Sequence, residues 1–434
     1  MIHLGALYYW LSAYPVRFID SSSIFLQFGI IGSYWLEASI VMGISTGLFA
    51  MIIKNGLLSR MFLIVFGPML WVVSEMCASL LFSIASMGPG GTINIQFSFG
   101  YLGYLVAQSH SLASVTGIAG VYGLSFLASL IAILLYVYMR DKLYKHTLYN
   151  ILALFCFLLL FIFVPYFKSS YEHSGTHVVV VETNFDKEFW LKEFPEEIKS
   201  EEIVDAVANA LEYKSDVIIL PEDSRLTDAF DSTDKLFQWV TANNSEYVGV
   251  IVDSGKFFTD EDAQTSVLRV YMYDVKEQSV SFFDKQYLVP QGEFLPYFHG
   301  AIMSLFMSQD RLNGIKENLQ YIPGSVSDST MIPSNLPAVL FCSESISPSG
   351  VRSALQARNP SFVTHLVSHA WFSNPYSLWY QLDSMLRIQS MWNDIPIVSA
   401  GNVSQSKLYL PTGHIETGIL LVETPLWSIK SFSF

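Results

Sequence analysis

The chain has 434 residues, of which only 14% are charged and 51% hydrophobic, with a mean hydropathy of +0.38. Soluble proteins carry about a quarter charged residues, so a freely soluble globule is excluded and part of the chain belongs in lipid. Residues 1–167 hold six Lys/Arg and four acids, leaving 18 basic and 34 acidic residues in 168–434; that acidic balance excludes a basic nucleic-acid surface.

The apolar fragment Met1–Pro15 is short, and reads as the end of a spanning helix or as an interfacial one. It has no basic start or small-residue cleavage site to mark a signal peptide. Four later segments are long enough to cross a bilayer, which takes roughly 20 apolar residues: Ile24–Ile53, Met61–Ala85, Leu112–Met139 and Leu148–Phe167. Lys54 and Arg60 flank one tight connection, and Arg140, Lys142 and Lys145 crowd another, so both are expected on the cytoplasmic side. The last span then runs outward and delivers everything after Lys168 to the far side. Ser86–Ser111, with no Lys or Arg, falls on that side too. The expected organisation is a multi-span helical domain over 1–167 and an extracytoplasmic domain over 168–434. Glu37 and Glu75 lie inside spans, where charge is paired or functional; a helix–helix hydrogen bond is the simpler expectation. Cys77 and Cys156 sit in apolar segments and Cys342 in the polar half, so no disulfide framework is expected.

From residue 176 the pattern changes to short β-rich runs. His177–Val181, Asp216–Leu220, Tyr247–Val252, Val267–Tyr273, Ala338–Phe341, Phe362–Val367 and Ile395–Ala400 read as strands. Pro195–Tyr213 and Leu378–Trp392 read as helices, with apolar residues three and four apart. The alternation predicts a layered α/β domain with its chemistry at strand ends. Three such ends carry reactive groups: Leu220-Pro221-Glu222, the run Asp284–Pro290 containing Lys285, and Leu340-Phe341-Cys342-Ser343-Glu344. A thiol acts as a nucleophile only as thiolate and needs a base and an electropositive setting. Glu222 supplies a proton acceptor, and Lys285 a cation for an oxyanion. By residue type alone the trio is a weak signal, because such sets can be drawn from many sequences. His299, His365 and His369 lack metal-ligand spacing, so they read as structural and no metal or cofactor is expected.

The surroundings are more specific. Leu220-Pro221-Glu222, then Lys285-x-x-Leu288-Val289-Pro290-x-Gly292-Glu293-x-x-Pro296, then Cys342-x-Glu344 resemble the three motif blocks of the nitrilase (carbon–nitrogen hydrolase) superfamily. His369-Ala370-Trp371-Phe372, continuing to Arg387, is similar to its post-nucleophile strand and helix. With a membrane block in front, the chain resembles the apolipoprotein N-acyltransferase branch. Trp71-x-x-x-Glu75, Phe99–Tyr104, Gly117-x-x-Gly120-Val121-Tyr122-Gly123 and Val181–Phe185 add to that likeness. The resemblance implies an α-β-β-α sandwich behind a transmembrane domain, and a Glu222–Lys285–Cys342 triad supported by Glu293 and Glu344. It implies an acyl pocket that includes Trp371, Phe372 and Phe294. The implied reaction moves an acyl chain from a phospholipid to the N-terminal amine of a diacylglyceryl-lipoprotein through a cysteine thioester. It implies a monomer in the bacterial inner membrane with the domain on the periplasmic side. Ile302–Phe306 is expected as an amphipathic lid dipping into the bilayer or as a buried core helix, and Arg387 as a salt-bridge partner.

The chain departs from the pattern at Ser343, where an aromatic residue is usual, at Ser368-His369 in place of Asn-Asp, and at Gly401-Asn402-Val403 in place of Asn-Thr-Gly. The family also carries more helices before the domain, and a closing one after it. Two other functions therefore stay open: a membrane-tethered amidase or esterase that passes the acyl group to water, and an inactive homologue that binds lipid or a partner.

Overall fold

The computed structural model describes residues 2–12, 24–54, 59–107, 116–140, 175–260, 265–306, 308–324, 336–355, 359–372 and 376–434. Leu148–Phe167, Lys142, Lys145 and Cys156 lie outside the described residues. The helices Ile24–Lys54, Arg60–Ala85 and Thr116–Arg140 are long and apolar enough to cross a membrane. They carry Ile40, Ile44, Leu48, Met51, Met69, Val73 and Leu135 outward. A helix that is apolar on its outer face as well as its inner one has lipid, not water, as its solvent.

Glu75 organises the segment between the second and third of these helices. Its carboxylate accepts hydrogen bonds from Trp71 Nε1 at 2.9 Å and from the Leu102 backbone N–H at 2.7 Å. Trp71-x-x-x-Glu75 is thus an i,i+4 pair that also ties down the start of the short helix Leu102–Val106. Ser79 Oγ adds contacts to the Phe97 carbonyl and Tyr101 Oη. Within Thr116–Arg140 the helix breaks at Ala119 and Gly120, where Gly120 has φ +56°. A Cβ there would lie 2.2 Å from the Trp392 ring.

Twelve strands follow: β1 His177–Thr183, β2 Val217–Ile219, β3 Val250–Asp260, β4 Thr265–Asp274, β5 Ser279–Asp284, β6 Ala338–Phe341, β7 Val363–Ser368, β8 Ile397–Asn402, β9 Lys407–Tyr409, β10 Ile415–Glu416, β11 Ile419–Glu423 and β12 Trp427–Ser433. They form two halves, ordered β11-β12-β1-β2-β3-β4-β5 and β6-β7-β8-β9-β10. Among the described residues the halves are joined by the pair Thr183–Asn402. β1–β2–β3 and β6–β7–β8 are parallel.

Side-chain alternation stacks the layers. Val178, Val180, Ile219 and Val252 meet Val339, Phe341, Leu366 and Val398 between the two halves. Their neighbours Val179, Val181, Ile218 and Ile251 pack on residues of the helices Pro195–Ala210 and Thr233–Asn243. On the other side, Ala338, Leu340, Val363 and Ile397 pack on Val351, Ala354 and Leu386 of the helices Gly350–Ala354 and Tyr376–Asn393. The result is an α-β-β-α sandwich. Strands buried on both faces read as continuous Val/Ile runs, which is why the sequence revealed them. The runs missed were β5 and β9–β12. These peripheral strands are only partly apolar, and β11 leaves Ile419 and Leu420 at 69% and 50% exposure.

The sandwich sits directly on the helical block. Ser98 Oγ donates to the Ile346 carbonyl, Gln381 Nε2 to the Ala6 carbonyl and the Tyr297 N–H to the Met87 carbonyl. Arg387, expected in a salt bridge, donates Nη1 to the Ala107 carbonyl at 3.0 Å. Glu37, expected in a helix–helix hydrogen bond, makes one to His299 Nε2 of the helix Tyr297–Phe306 at 2.9 Å.

The Gly120–Trp392 contact is a close seam between the two parts. Gly120→Ala adds a Cβ both in a left-handed conformation and inside the ring. It should lower the apparent melting temperature in detergent by several degrees, equivalent to about 2 kcal/mol or more. Trp392→Ala in the same background should recover part of that loss; an unchanged melting curve for Gly120→Ala would refute the seam.

Candidate active site

Three strand ends converge at one point. Glu222 follows β2, Lys285 follows β5 directly, and Cys342 follows β6 and opens the 3₁₀ turn Cys342–Ile346. Lys285 is fully buried. Its Nζ lies 3.3 Å from Glu222 Oε1 and 2.5 Å from Glu293 Oε1. The second Glu293 oxygen accepts the Val289 N–H at 2.8 Å, so the loop that follows Lys285 folds back to supply its counter-ion.

Burial works against the Lys285 ammonium, but Glu293 and Glu222 outweigh it and hold the group well above the usual lysine value. Burial pushes the Glu222 carboxyl up, and Lys285 opposes that rise. Burial and the nearby Glu222 charge push the Cys342 thiol well up, against the pull of Lys285. The resting site therefore holds a thiol, a lysinium and two carboxyl groups within mutual electrostatic reach.

Glu344 serves the backbone. Oε1 accepts the N–H groups of Gln286 and Tyr287 at 2.7 and 3.2 Å, and Oε2 accepts that of Phe341 at 2.9 Å. One buried carboxylate thus pins the strand ends that carry Lys285 and Cys342. Ser343 adds a second tie, donating Oγ–H to the Tyr287 carbonyl at 3.0 Å. Where an aromatic residue would wall the pocket, the hydroxyl fastens the nucleophile turn to the lysine loop.

One group at the site escapes the sequence reading. The Ser368 backbone N–H donates to Glu222 Oε2 at 3.1 Å and also reaches toward the Cys342 thiol. Asn402 steadies it, donating Nδ2–H to Ser368 Oγ at 3.0 Å while accepting from Thr183 and Phe185. A backbone donor leaves no trace in a residue pattern. His365, expected as structural, lies 3.3 Å from the Cys342 carbonyl through Nε2 and 2.9 Å from Ser399 Oγ through Nδ1. Burial lowers it to about 4, so the ring is neutral at pH 7. Its partners then fix Nε2 as donor and Nδ1 as acceptor.

The cluster opens into a cavity of ≈ 540 Å³. Cys342, Ser343, Glu222, Glu293, Ser368 and Asn402 form its polar floor. Trp10, Ile31, Tyr34, Phe82, Phe97 and Phe99 of the helical block form an apolar wall opposite, continued by Leu295, Met303, Trp371 and Phe372. Phe294, expected in this wall, is absent from it. It is 1% exposed and packs on Gly88, Gly90 and Leu288, because those glycines leave room for a ring; its neighbour Leu295 takes the cavity position. Among the described residues no cluster of His, Cys, Asp or Glu is arranged to hold a metal ion.

No protein-family model matches the chain. It is similar to curated proteins named apolipoprotein N-acyltransferase. One from Geobacter metallireducens is 24% identical over 380 residues, covering 84% of this chain and 68% of the relative. One from Rhodopseudomonas palustris is 28% identical over 150 residues, covering 34% of this chain and 26% of the relative. The latter match thus spans about a quarter of that relative's length. Among solved structures, an amidase of the nitrilase superfamily from Nesterenkonia AN1 is 14% identical and covers 60% of this chain and 92% of its own, with a TM-score of 0.38. The same amidase in complex with acrylamide gives 12% identity and a TM-score of 0.40, covering 60% of this chain and 91% of its own.

His365 and His369 are buried neutral, lowered by burial to about 4 and about 3. The unfolded chain takes up protons below the ordinary value of 6.5 that the folded chain refuses until those lower values. Their stabilising effect is therefore complete above pH 6.5 and is lost as pH falls through about 4 for His365 and about 3 for His369. At about 1.4 kcal/mol per pKa unit, the loss amounts to several kcal/mol. The apparent melting temperature in detergent should fall across that window, and more gently in His365→Gln; equal slopes in both proteins would exclude the assignment.

Proposed function

We propose that this chain transfers an acyl chain from a phospholipid to the N-terminal amine of a diacylglyceryl-modified lipoprotein, through a thioester on Cys342. The observation that carries the reading is the paired lysine beside a buried thiol at the floor of an apolar cavity walled by membrane-type helices. Glu222 takes the Cys342 proton as the sulfur attacks the ester carbonyl. The oxyanion that forms is held by Lys285 and the backbone N–H groups around the nucleophile. The carbon–oxygen bond breaks, the proton on Glu222 passes to the leaving glyceryl oxygen, and a lysophospholipid departs. The lipoprotein amine then attacks the thioester, Glu222 takes up the amine proton, and the thiol is regenerated with an amide as product. No metal takes part in these steps.

Glu293 and Glu344 act in this scheme as positioning residues, one on the lysine side chain and one on the two strand ends. The apolar wall formed with Trp371 and Phe372 admits acyl chains and keeps water from the thioester. The helix Tyr297–Phe306 presents Tyr297, Phe298 and Leu305 at 63%, 53% and 78% exposure, a surface suited to the lipid interface. The reading sets the 1–167 helical part in a bacterial cytoplasmic membrane and the 168–434 part on its outer face.

The test is to incubate the membrane-embedded chain with a phospholipid carrying a labelled acyl group and to locate the label by mass spectrometry. Label on Cys342, none in Cys342→Ala, and discharge by a diacylated lipopeptide are expected. Discharge by water alone would make the protein a hydrolase, and absence of label would exclude both. Lys285→Ala and Glu222→Ala should each slow labelling by at least about 100-fold.

The base form of Glu222 is the carboxylate, and its raised value moves the loss of that form to higher pH than in an ordinary glutamate. Labelling should therefore fall with acidification through a pKa above 4.5. A flat profile from pH 4 to 7 would remove Glu222 from the role of base.

A further inference from the structure

The cavity is not uniform. Its lining from the helical block is aromatic, whereas Lys199, Asp223 and Arg225 of the sandwich also line it. Lys199 is only 4% exposed. Its Nζ lies 3.5 Å from Asp223 Oδ2 and 5.4 Å from the Trp190 ring centroid. An ammonium has three donors, and among the described residues that one long contact is its single hydrogen bond. Arg225 gives Nε to Asp223 Oδ1 at 2.6 Å, while its Nη atoms have no hydrogen-bond partner among the described residues.

The turn that presents Arg225 is strained and firmly held. Asp223 and Arg225 both adopt left-handed backbone conformations, with φ of +63° and +57°. Ser254 holds both, its Oγ accepting the Asp223 N–H at 2.9 Å and its carbonyl the Arg225 N–H at 3.0 Å. Strain retained in this way marks a functional position, and the turn directly follows Glu222. Two cations thus share one carboxylate, with Glu196 and Asp228 acting on them less strongly. A buried, under-satisfied ammonium beside open guanidinium nitrogens is chemistry for an oxyanion with several acceptor atoms.

We propose that Lys199 and Arg225 form the subsite for the phosphate group of the acyl donor, an inference that rests on the acyl-transfer reading. Arg225 follows Glu222 by three residues, at most about 10 Å of chain, and both line the one cavity as Cys342 does, so a single glycerophospholipid spans from the nucleophile toward the cations. The donor then lies with its phosphate at Lys199–Arg225, its reacting ester over Cys342 and its chain against the aromatic wall. Asp223 keeps the two cations apart and oriented before the donor arrives.

The experiment compares two donors with identical labelled chains, phosphatidylglycerol and diacylglycerol, presented to the full chain in neutral detergent micelles. The rate of Cys342 labelling is read as kcat/KM. Wild type should prefer the phosphatidyl donor by at least tenfold, and Arg225→Gln and Lys199→Met should each shrink that preference at least tenfold, mainly through KM. Arg225→Lys should retain more of it than Arg225→Gln. Glycerol phosphate should compete with the phosphatidyl donor in wild type and lose that effect in Lys199→Met; competition by inorganic phosphate of equal strength would assign the subsite to the free anion instead. Equal use of both donors by wild type, or parallel loss of both in the variants, would overturn the subsite while leaving acyl transfer intact. No labelling from either donor would overturn both.

Discussion

The buried ammonium of Lys285 is the constraint on which the rest of the site depends. Removing such a charge from water costs several kcal/mol unless it is paired and hydrogen-bonded. The fold meets that cost with Glu222 and Glu293, which come from different segments. Glu222 follows β2 in one half of the sandwich, and Glu293 sits in the loop after Lys285 itself. β2 and β5 belong to the same half, so the pairing β2–β3–β4–β5 must hold one register for the lysine to meet both acids. The residue before Lys285 is fixed as firmly. Asp284 accepts a bidentate pair from Arg269 at 2.6 and 2.9 Å, and that guanidinium lies between the rings of Phe257 and Phe282. Lysine, acid and thiol thus stand on strand ends with little freedom, as preorganised electrostatics requires.

The second constraint is the seam between sandwich and helices. The polar floor of the cavity comes from the sandwich and much of its apolar wall from the helical block, so neither part forms the cavity alone. Glu75 fixes the connecting segment from within, and Gly120 lets a spanning helix break against Trp392. In this arrangement one cavity has both an apolar wall and a polar floor that carries the thiol.

How legible all this was varies with the kind of interaction. Strands buried on both faces announce themselves as runs of Val and Ile, and β1, β2, β4 and β6 to β8 lie close to their expected positions, whereas β3 runs on from the expected Val252 to Asp260. β5 and β9 to β12 do not announce themselves, because these strands are only partly apolar and are held by pairing with neighbours more than by their own apolar pattern. Glu222, Lys285 and Cys342 were picked out by their motif blocks, and they do converge. Phe294 was misjudged because an aromatic residue in a loop looks the same whether it lines a cavity or fills the space above two glycines. Ser343 looked like a lost wall and is a hydrogen-bonded fastener. The Ser368 N–H was invisible, since every residue but proline carries one.

What the sequence determined by itself was composition-driven: lipid-soluble helices, an acidic α/β half, and the chemical types available at three strand ends. These follow from local patterning, which a chain carries without folding. Tertiary structure decided which carboxylate serves the lysine and which serves the backbone. It also decided that Glu37 meets His299, and that one cavity has both aromatic and cationic residues in its lining. Those outcomes depend on distances between residues far apart in the chain, set only when the sheets close and the sandwich seats on the helices.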